Sequence, residues 1–136
     1  MKILYTAEAT AWGGREGRTA TTDGILDVTL ALPKELGGPG GHTNPEQLFA
    51  AGYASCFHSA LKLIAAREKI DVSESAITAR VGLGARGSYF SLAVVLEAEL
   101  PGVERATAQE LVEEAHQVCP YSNATRGNIE VTLTVV

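Results

Sequence analysis

Cys56 and Cys119 are the residues of this chain best suited to chemistry, because a thiolate is both a nucleophile and an oxidisable group. They are its only cysteines and neither sits in a CxxC pair, so a disulfide scaffold and a structural zinc site are both poorly supported. Reactivity is the remaining reason to look at them. Each has a plainer explanation, since a Cys in an apolar helix or at a helix stop more often packs as a small hydrophobe. Cys56 lies mid-helix, where the macrodipole helps little, so a reactive thiolate there needs a cation brought from elsewhere, and a buried arginine fits. Cys119 lies at a helix C-terminus, where a thiolate is disfavoured, which suits a thiol that attacks second.

The elements that must position these sulfurs are legible in outline. Residues 1–9 and 25–32 alternate apolar and polar positions, with Asp23-Gly24 as the turn between them, which predicts a half-buried antiparallel sheet. Pro33 stops the strand, and ELGGPGGHTNP, with four glycines and two prolines in eleven residues, reads as a loop. Asn44 then offers an N-cap and Pro45 a first helical position, opening a helix that is apolar on nearly every face from Leu48 to Ala66. Such a helix must be buried. Its slim series Gly52, Cys56 and Ala60 permits close approach of another backbone, and a chain of 136 residues has few elements to surround it, so a homodimer is expected. Residues 76–84 and 88–100 read as a hairpin around ARGS. A second helix opens with Thr107 and Glu110 as a capping box and stops at Cys119-Pro120, and Ile129 to Val135 alternate as a closing strand.

Composition narrows the function. The length fits one domain spanning 1–136, and 46% hydrophobic against 20% charged residues is ordinary for a globular protein. A net charge of -5, without a basic run, argues against nucleic acid and anionic membrane as partners. No signal-peptide pattern and no uninterrupted apolar run of membrane-spanning length is visible, so the expected compartment is the cytoplasm. His116 and Cys119 share a helical face but lack further ligands, His58 points elsewhere than Cys56, and GGPGG lacks the Lys and Ser or Thr of a phosphate loop. No metal and no bound cofactor is expected.

Two stretches, TNPEQLFAAGYASCF at 43–57 and VCPYSNATRGNI at 118–129, closely resemble the organic hydroperoxide resistance proteins, the Ohr branch of the Ohr/OsmC family. The likeness extends through GGREGR at 13–18, TTDGILDV at 21–28 and the ELGGPGG loop. The resemblance implies an α+β fold in which antiparallel sheets wrap central buried helices in an intertwined homodimer. It also implies a thiol peroxidase that defends against oxidative stress. Cys56 would be the peroxidatic and Cys119 the resolving cysteine, joined in the product as a disulfide, with Arg15 and Glu46 as the essential arginine and its acid. For the reductant it implies dihydrolipoyl groups of a lipoylated protein.

By residue type alone Arg15 is a solvated turn residue, Glu46 a first-turn acid, and Arg18 competes with Arg15 for the same role. Glu46 and Cys56 are ten residues apart, about 15 Å along one straight helix. Either the helix is kinked or segmented near Gly52, or Glu46 and Arg15 serve the Cys56 of a partner subunit. Phe49, Tyr53, Phe57 and Tyr121 stand near the motifs and suggest an apolar wall suited to organic peroxides, although core packing explains such aromatics equally well. A hot-dog-like thioesterase or acyl-binding module, a non-enzymatic dimeric stress protein and an OsmC-branch peroxidase are the competing readings.

Overall fold

The computed structural model describes residues 1–136. In chain order the elements are β1 (Ala9–Trp12), β2 (Arg18–Thr21), β3 (Asp27–Thr29), α1 (Pro45–Arg67), β4 (Ala76–Arg86), β5 (Tyr89–Glu99), α2 (Arg105–Val118), α3 (Pro120–Thr125) and β6 (Val131–Val135). Helices and small sheets alternate in an α+β arrangement. Contacts fall into two compact units, Met1–Leu48 and Phe49–Val136, with the boundary in the first turn of α1.

The first unit holds an antiparallel sheet in the order β1-β2-β3, with Ala9 opposite Thr21 and Arg18 opposite Thr29. Asp23-Gly24 does form a turn, fixed by Asp23 Oδ1, which accepts from the Ile25 N–H at 3.0 Å. It joins β2 to β3, however, and residues 1–8 form no strand. β2 reads RTAT and offers no apolar alternation, so its existence rests on pairing between its two neighbours and not on a local pattern. After β3 the Ala31 N–H donates to the Thr43 carbonyl at 3.0 Å, which returns the glycine-rich loop to the sheet just before α1. Asn44 Oδ1 then accepts from the Gln47 N–H at 2.9 Å, the anticipated cap, and Pro45 opens the helix.

The second unit holds β4, β5 and β6. The hairpin closes through Gly87 and Ser88, with Arg86 opposite Tyr89 and Gly87 at φ 60°, so its turn is one step later than ARGS suggests. β6 runs parallel to β5, with Val94 opposite Val131, and the sheet is therefore mixed, not wholly antiparallel. A parallel neighbour demands a crossover, and α2 with α3 supplies it. The Glu104 carboxylate caps α2 by accepting from the N–H groups of Ala106 and Thr107, both at 3.2 Å. The helix consequently starts at Arg105, and Thr107 with Glu110 is not its capping box. Pro120 stops α2 only to open α3, where its missing N–H is harmless at the first position.

The core lies between one face of α1, the inner face of β5 and the apolar stripe of α2. Tyr53, Phe57 and Leu61 meet Val94, Leu96, Leu111 and Val112, all nearly or fully inaccessible. Each such aliphatic or aromatic side chain stabilises the fold by about 1.5–3 kcal/mol relative to exposure. The opposite face of α1, including Ala51, Ser55 and Leu63, remains exposed, so the chain by itself buries this helix on one side only. By length and average hydropathy α1 could cross a bilayer, a test that the core helix of a globular protein also passes. Its inner face is instead engaged in the core.

Candidate functional site

Arg15 sits in a 3-10 turn, Gly14–Glu16, that closes the β1–β2 hairpin. Gly13 and Gly14 take positive φ, and a Cβ on Gly17 would lie 1.7 Å from the Trp12 carbonyl oxygen, so only glycine permits the closure there. From this turn Arg15 Nη1 and Nη2 donate to Glu46 Oε2 and Oε1 at 2.8 and 2.6 Å. The pair is a two-pronged fork, the geometry a guanidinium and a carboxylate share best. Glu46 is largely buried, with 15% of its side chain exposed. The Arg15 hydrogen bonds hold its carboxyl below the usual carboxylate range, against a smaller opposing effect of burial.

Arg18 does not share this partner. It binds the two oxygens of Asp27 at 2.7 Å each and lies over the Trp12 ring, with 53% of its side chain exposed. Of the two candidate arginines, Arg15 is the one joined to Glu46. α1 is a single helix from Pro45 to Arg67, so the version segmented near Gly52 is not found.

In the second unit the two sulfurs meet. Cys56 Sγ and Cys119 Sγ are 3.5 Å apart, and both thiols are free. Cys56 is half-buried, whereas Cys119 is wholly inaccessible. Cys119 stands at the junction of two helices and not simply at the end of one, capping the C-terminus of α2 and preceding α3. Burial pushes the Cys56 thiol up; the Tyr121 backbone N–H in the first turn of α3 pulls it down, and the neighbouring Cys119 raises it again. The net effect favours the protonated thiol, so these surroundings alone do not make a thiolate.

The four aromatic candidates divide. Tyr53 and Phe57 are at 0% exposure within the core, while Tyr121 keeps 40%. Phe49, Tyr53 and Tyr121 form a triangle with ring centroids 5.7–6.1 Å apart. Gly52 serves this group, since a Cβ there would come to 3.0 Å from the Tyr121 hydroxyl. The small residue admits a ring of the same chain.

A polar cluster that residue types did not suggest lies beside the sulfurs. The Ser122 hydroxyl meets Tyr53 Oη and His116 Nδ1, both at 2.8 Å, and Thr125 Oγ1 is 3.0 Å from Tyr53 Oη. His116, considered in sequence as half of a metal pair, is thus bonded to Ser122. His58 turns away to Ser75 at 2.9 Å. The only signal for the cluster was the polar composition of SNAT within a motif that otherwise reads as a helix stop.

Comparison with known proteins places the chain among its relatives. Residues 38–134 match the model of the OsmC-like protein family. An organic hydroperoxide resistance protein of Xanthomonas axonopodis pv. citri is 57% identical, over 98% of this chain and 96% of that protein. The crystal structure of an organic hydroperoxide resistance protein from Legionella pneumophila superposes with a TM-score of 0.94 at 52% identity, covering 98% of both chains. That of OhrB from Bacillus subtilis gives 0.90 at 43% identity, over 98% of this chain and all of that one. Motif, fold and relatives agree, and the chain belongs to the Ohr branch of the Ohr/OsmC family.

Proposed function

We propose that the protein is a cysteine-based peroxidase that reduces organic hydroperoxides to alcohols in defence against oxidative stress. The observation that carries this reading is the 3.5 Å separation of the two free sulfurs, one half-buried and one fully buried. Cys56 attacks the terminal peroxide oxygen; the O–O bond breaks, the alcohol leaves with a proton, and Cys56 becomes a sulfenic acid. Cys119 then attacks that sulfur. The S–O bond breaks, water carries off the hydroxyl with the Cys119 proton, and a Cys56–Cys119 disulfide remains. An external dithiol returns both thiols, and dihydrolipoyl groups on a lipoylated protein are the reductant we assign.

Because burial holds Cys56 protonated, the chemistry requires a cation, and that cation is Arg15 held by Glu46. Its planar fork keeps donors free to polarise a peroxide oxygen while Glu46 fixes its orientation. The exposed face of α1 is the surface on which a homodimer assembles, and free thiols suit work in the cytoplasm. The unbroken α1 favours Arg15 and Glu46 serving the Cys56 of the partner subunit. Linked heterodimers with Cys56→Ser on one chain and Glu46→Ala on the other separate the versions. About half of wild-type activity, one intact site of two, supports service across subunits, and none supports service within one chain.

The deciding experiment is intact mass with free-thiol counting after one equivalent of an alkyl or fatty-acid hydroperoxide. The expected result is loss of both thiols without added oxygen in the wild type, and gain of one oxygen in Cys119→Ser. Thiols that survive the peroxide would overturn the function.

A further inference from the structure

The polar cluster beside the sulfurs is built with a regularity that the reaction as described does not use. Cys56 lies within α1 and Cys119 at the junction of α2 and α3, and each of these three helices contributes to the cluster a residue three positions from a sulfur. Tyr53 stands three before Cys56 on α1, His116 three before Cys119 on α2, and Ser122 three after Cys119 on α3. Within α1 that spacing places Tyr53 and Cys56 on one face. Ser122 is the hub, meeting both Tyr53 Oη and His116 Nδ1 at 2.8 Å, and Thr125 closes the group through Tyr53 at 3.0 Å.

Burial makes these bonds obligatory. Tyr53 and Ser122 are fully inaccessible and Thr125 is 5% exposed, and no buried side-chain polar atom is left without a partner. A rotation of α3 about its own axis would strand a hydroxyl away from water, which is costly. A second tie runs from Arg126 Nη1, which donates to the His116 carbonyl at 2.9 Å, so His116 holds the start of α3 by its ring and the end by its backbone. α3 is only six residues long and carries little stability of its own, so these bonds add to the backbone bonds that Cys119 makes to Ala115 and Asn123 in holding α3 and Cys119 in place.

The sulfurs are 3.5 Å apart, whereas a disulfide needs about 2.05 Å, so resolution demands a final approach of about 1.5 Å. We infer that His116, Ser122 and Tyr53 form a positioning clamp for the resolving step, holding Cys119 within closing reach of the oxidised Cys56. This role rests on the peroxidase reading. It concerns the second half of the cycle, in which the sulfenic S–O bond breaks, the S–S bond forms and water leaves with the Cys119 proton. The clamp takes no part in the chemistry of peroxide cleavage.

Single-turnover kinetics with an alkyl hydroperoxide test it, following sulfenic-acid formation with a trapping reagent and disulfide closure by loss of the second thiol. In His116→Ala closure slows about tenfold, as loss of one buried hydrogen bond implies, and in Ser122→Ala, which loses two, at least as much, while sulfenic-acid formation keeps its rate. His116→Asn, whose amide can occupy the place of Nδ1, restores closure. His116 is only half-buried, so its variants remain informative should Ser122→Ala fail to fold. Unchanged closure in folded variants, or equal slowing of both steps, would overturn the clamp while leaving the peroxidase intact. A wild type that keeps both thiols under peroxide overturns the peroxidase itself and the clamp with it.

Discussion

Arg15 grips Glu46 through two parallel hydrogen bonds of 2.8 and 2.6 Å, across thirty-one residues of chain, while the nearby Arg18 is occupied by Asp27. A fork of this kind cannot be rebuilt by an ammonium. Arg15→Lys is therefore expected to lose peroxidase activity at least about tenfold, almost as much as Arg15→Ala, because one of two charge-assisted bonds disappears. Arg18→Ala should leave it nearly unchanged. Steady-state rates with an alkyl hydroperoxide decide between them.

The same pair sets an acid limit on stability. Arg15 lowers the Glu46 pKa from its ordinary value of 4.5, so its stabilisation is fully present above that pH and fades as pH falls through the lower folded value. Thermal melts of wild type and Glu46→Gln from neutral to acid pH should differ at neutrality and converge in acid. A constant gap across that range would refute the assignment.

Cys56 should report the cation directly. In a Cys119→Ser background with Arg15→Ala, burial leaves the thiol above its ordinary value of 9.0, and alkylation rises only in alkali. With Arg15 present the alkylation midpoint moves to lower pH. Identical pH profiles for the two proteins would mean that Arg15 does not act on this sulfur.

Gly52 faces the Tyr121 ring, and its replacement sets two known effects against each other. Alanine gains about 1 kcal/mol in helix propensity, while its Cβ at 3.0–3.4 Å from Tyr121 forces the half-exposed ring to give by a few tenths of an ångström. Gly52→Ala should thus stay within about 1 kcal/mol of wild type. Gly52→Leu, which the ring cannot accommodate, should destabilise clearly by chemical denaturation.

Leu61 is fully buried between α1 and the rest of the core. Leu61→Ala should cost about 2–5 kcal/mol in equilibrium unfolding, from lost burial and the cavity left behind. Asn44→Ala, removing the α1 cap at Gln47, should cost about 1 kcal/mol.

Local signals identified what local chemistry fixes. Asn44 and Pro45 mark the start of α1 because a side-chain acceptor and a missing N–H both suit a helix N-terminus, and alternation found β6 and most of β4 and β5. Pro120 misled because the feature that ends one helix also begins another, and only the packing of Ser122 and Thr125 against Tyr53 shows that a helix follows. β2 and the parallel sense of β6 depend on partners distant in the chain, which no window of sequence contains. Arg15 was marked by its motif, but its advantage over Arg18 came from the geometry of the glycine turn that aims it. The proximity of the sulfurs likewise depends on the crossover that brings α2 and α3 back over α1.

That crossover has a consequence for biosynthesis. β6 can join β5 side by side only after the whole segment bearing Cys119 has been made and wound up. A growing chain therefore carries Cys56 for some time without its sulfur neighbour, and any oxidant met in that interval finds a lone thiol with nothing to close upon it. That interval ends only when the segment bearing Cys119 has folded back over α1.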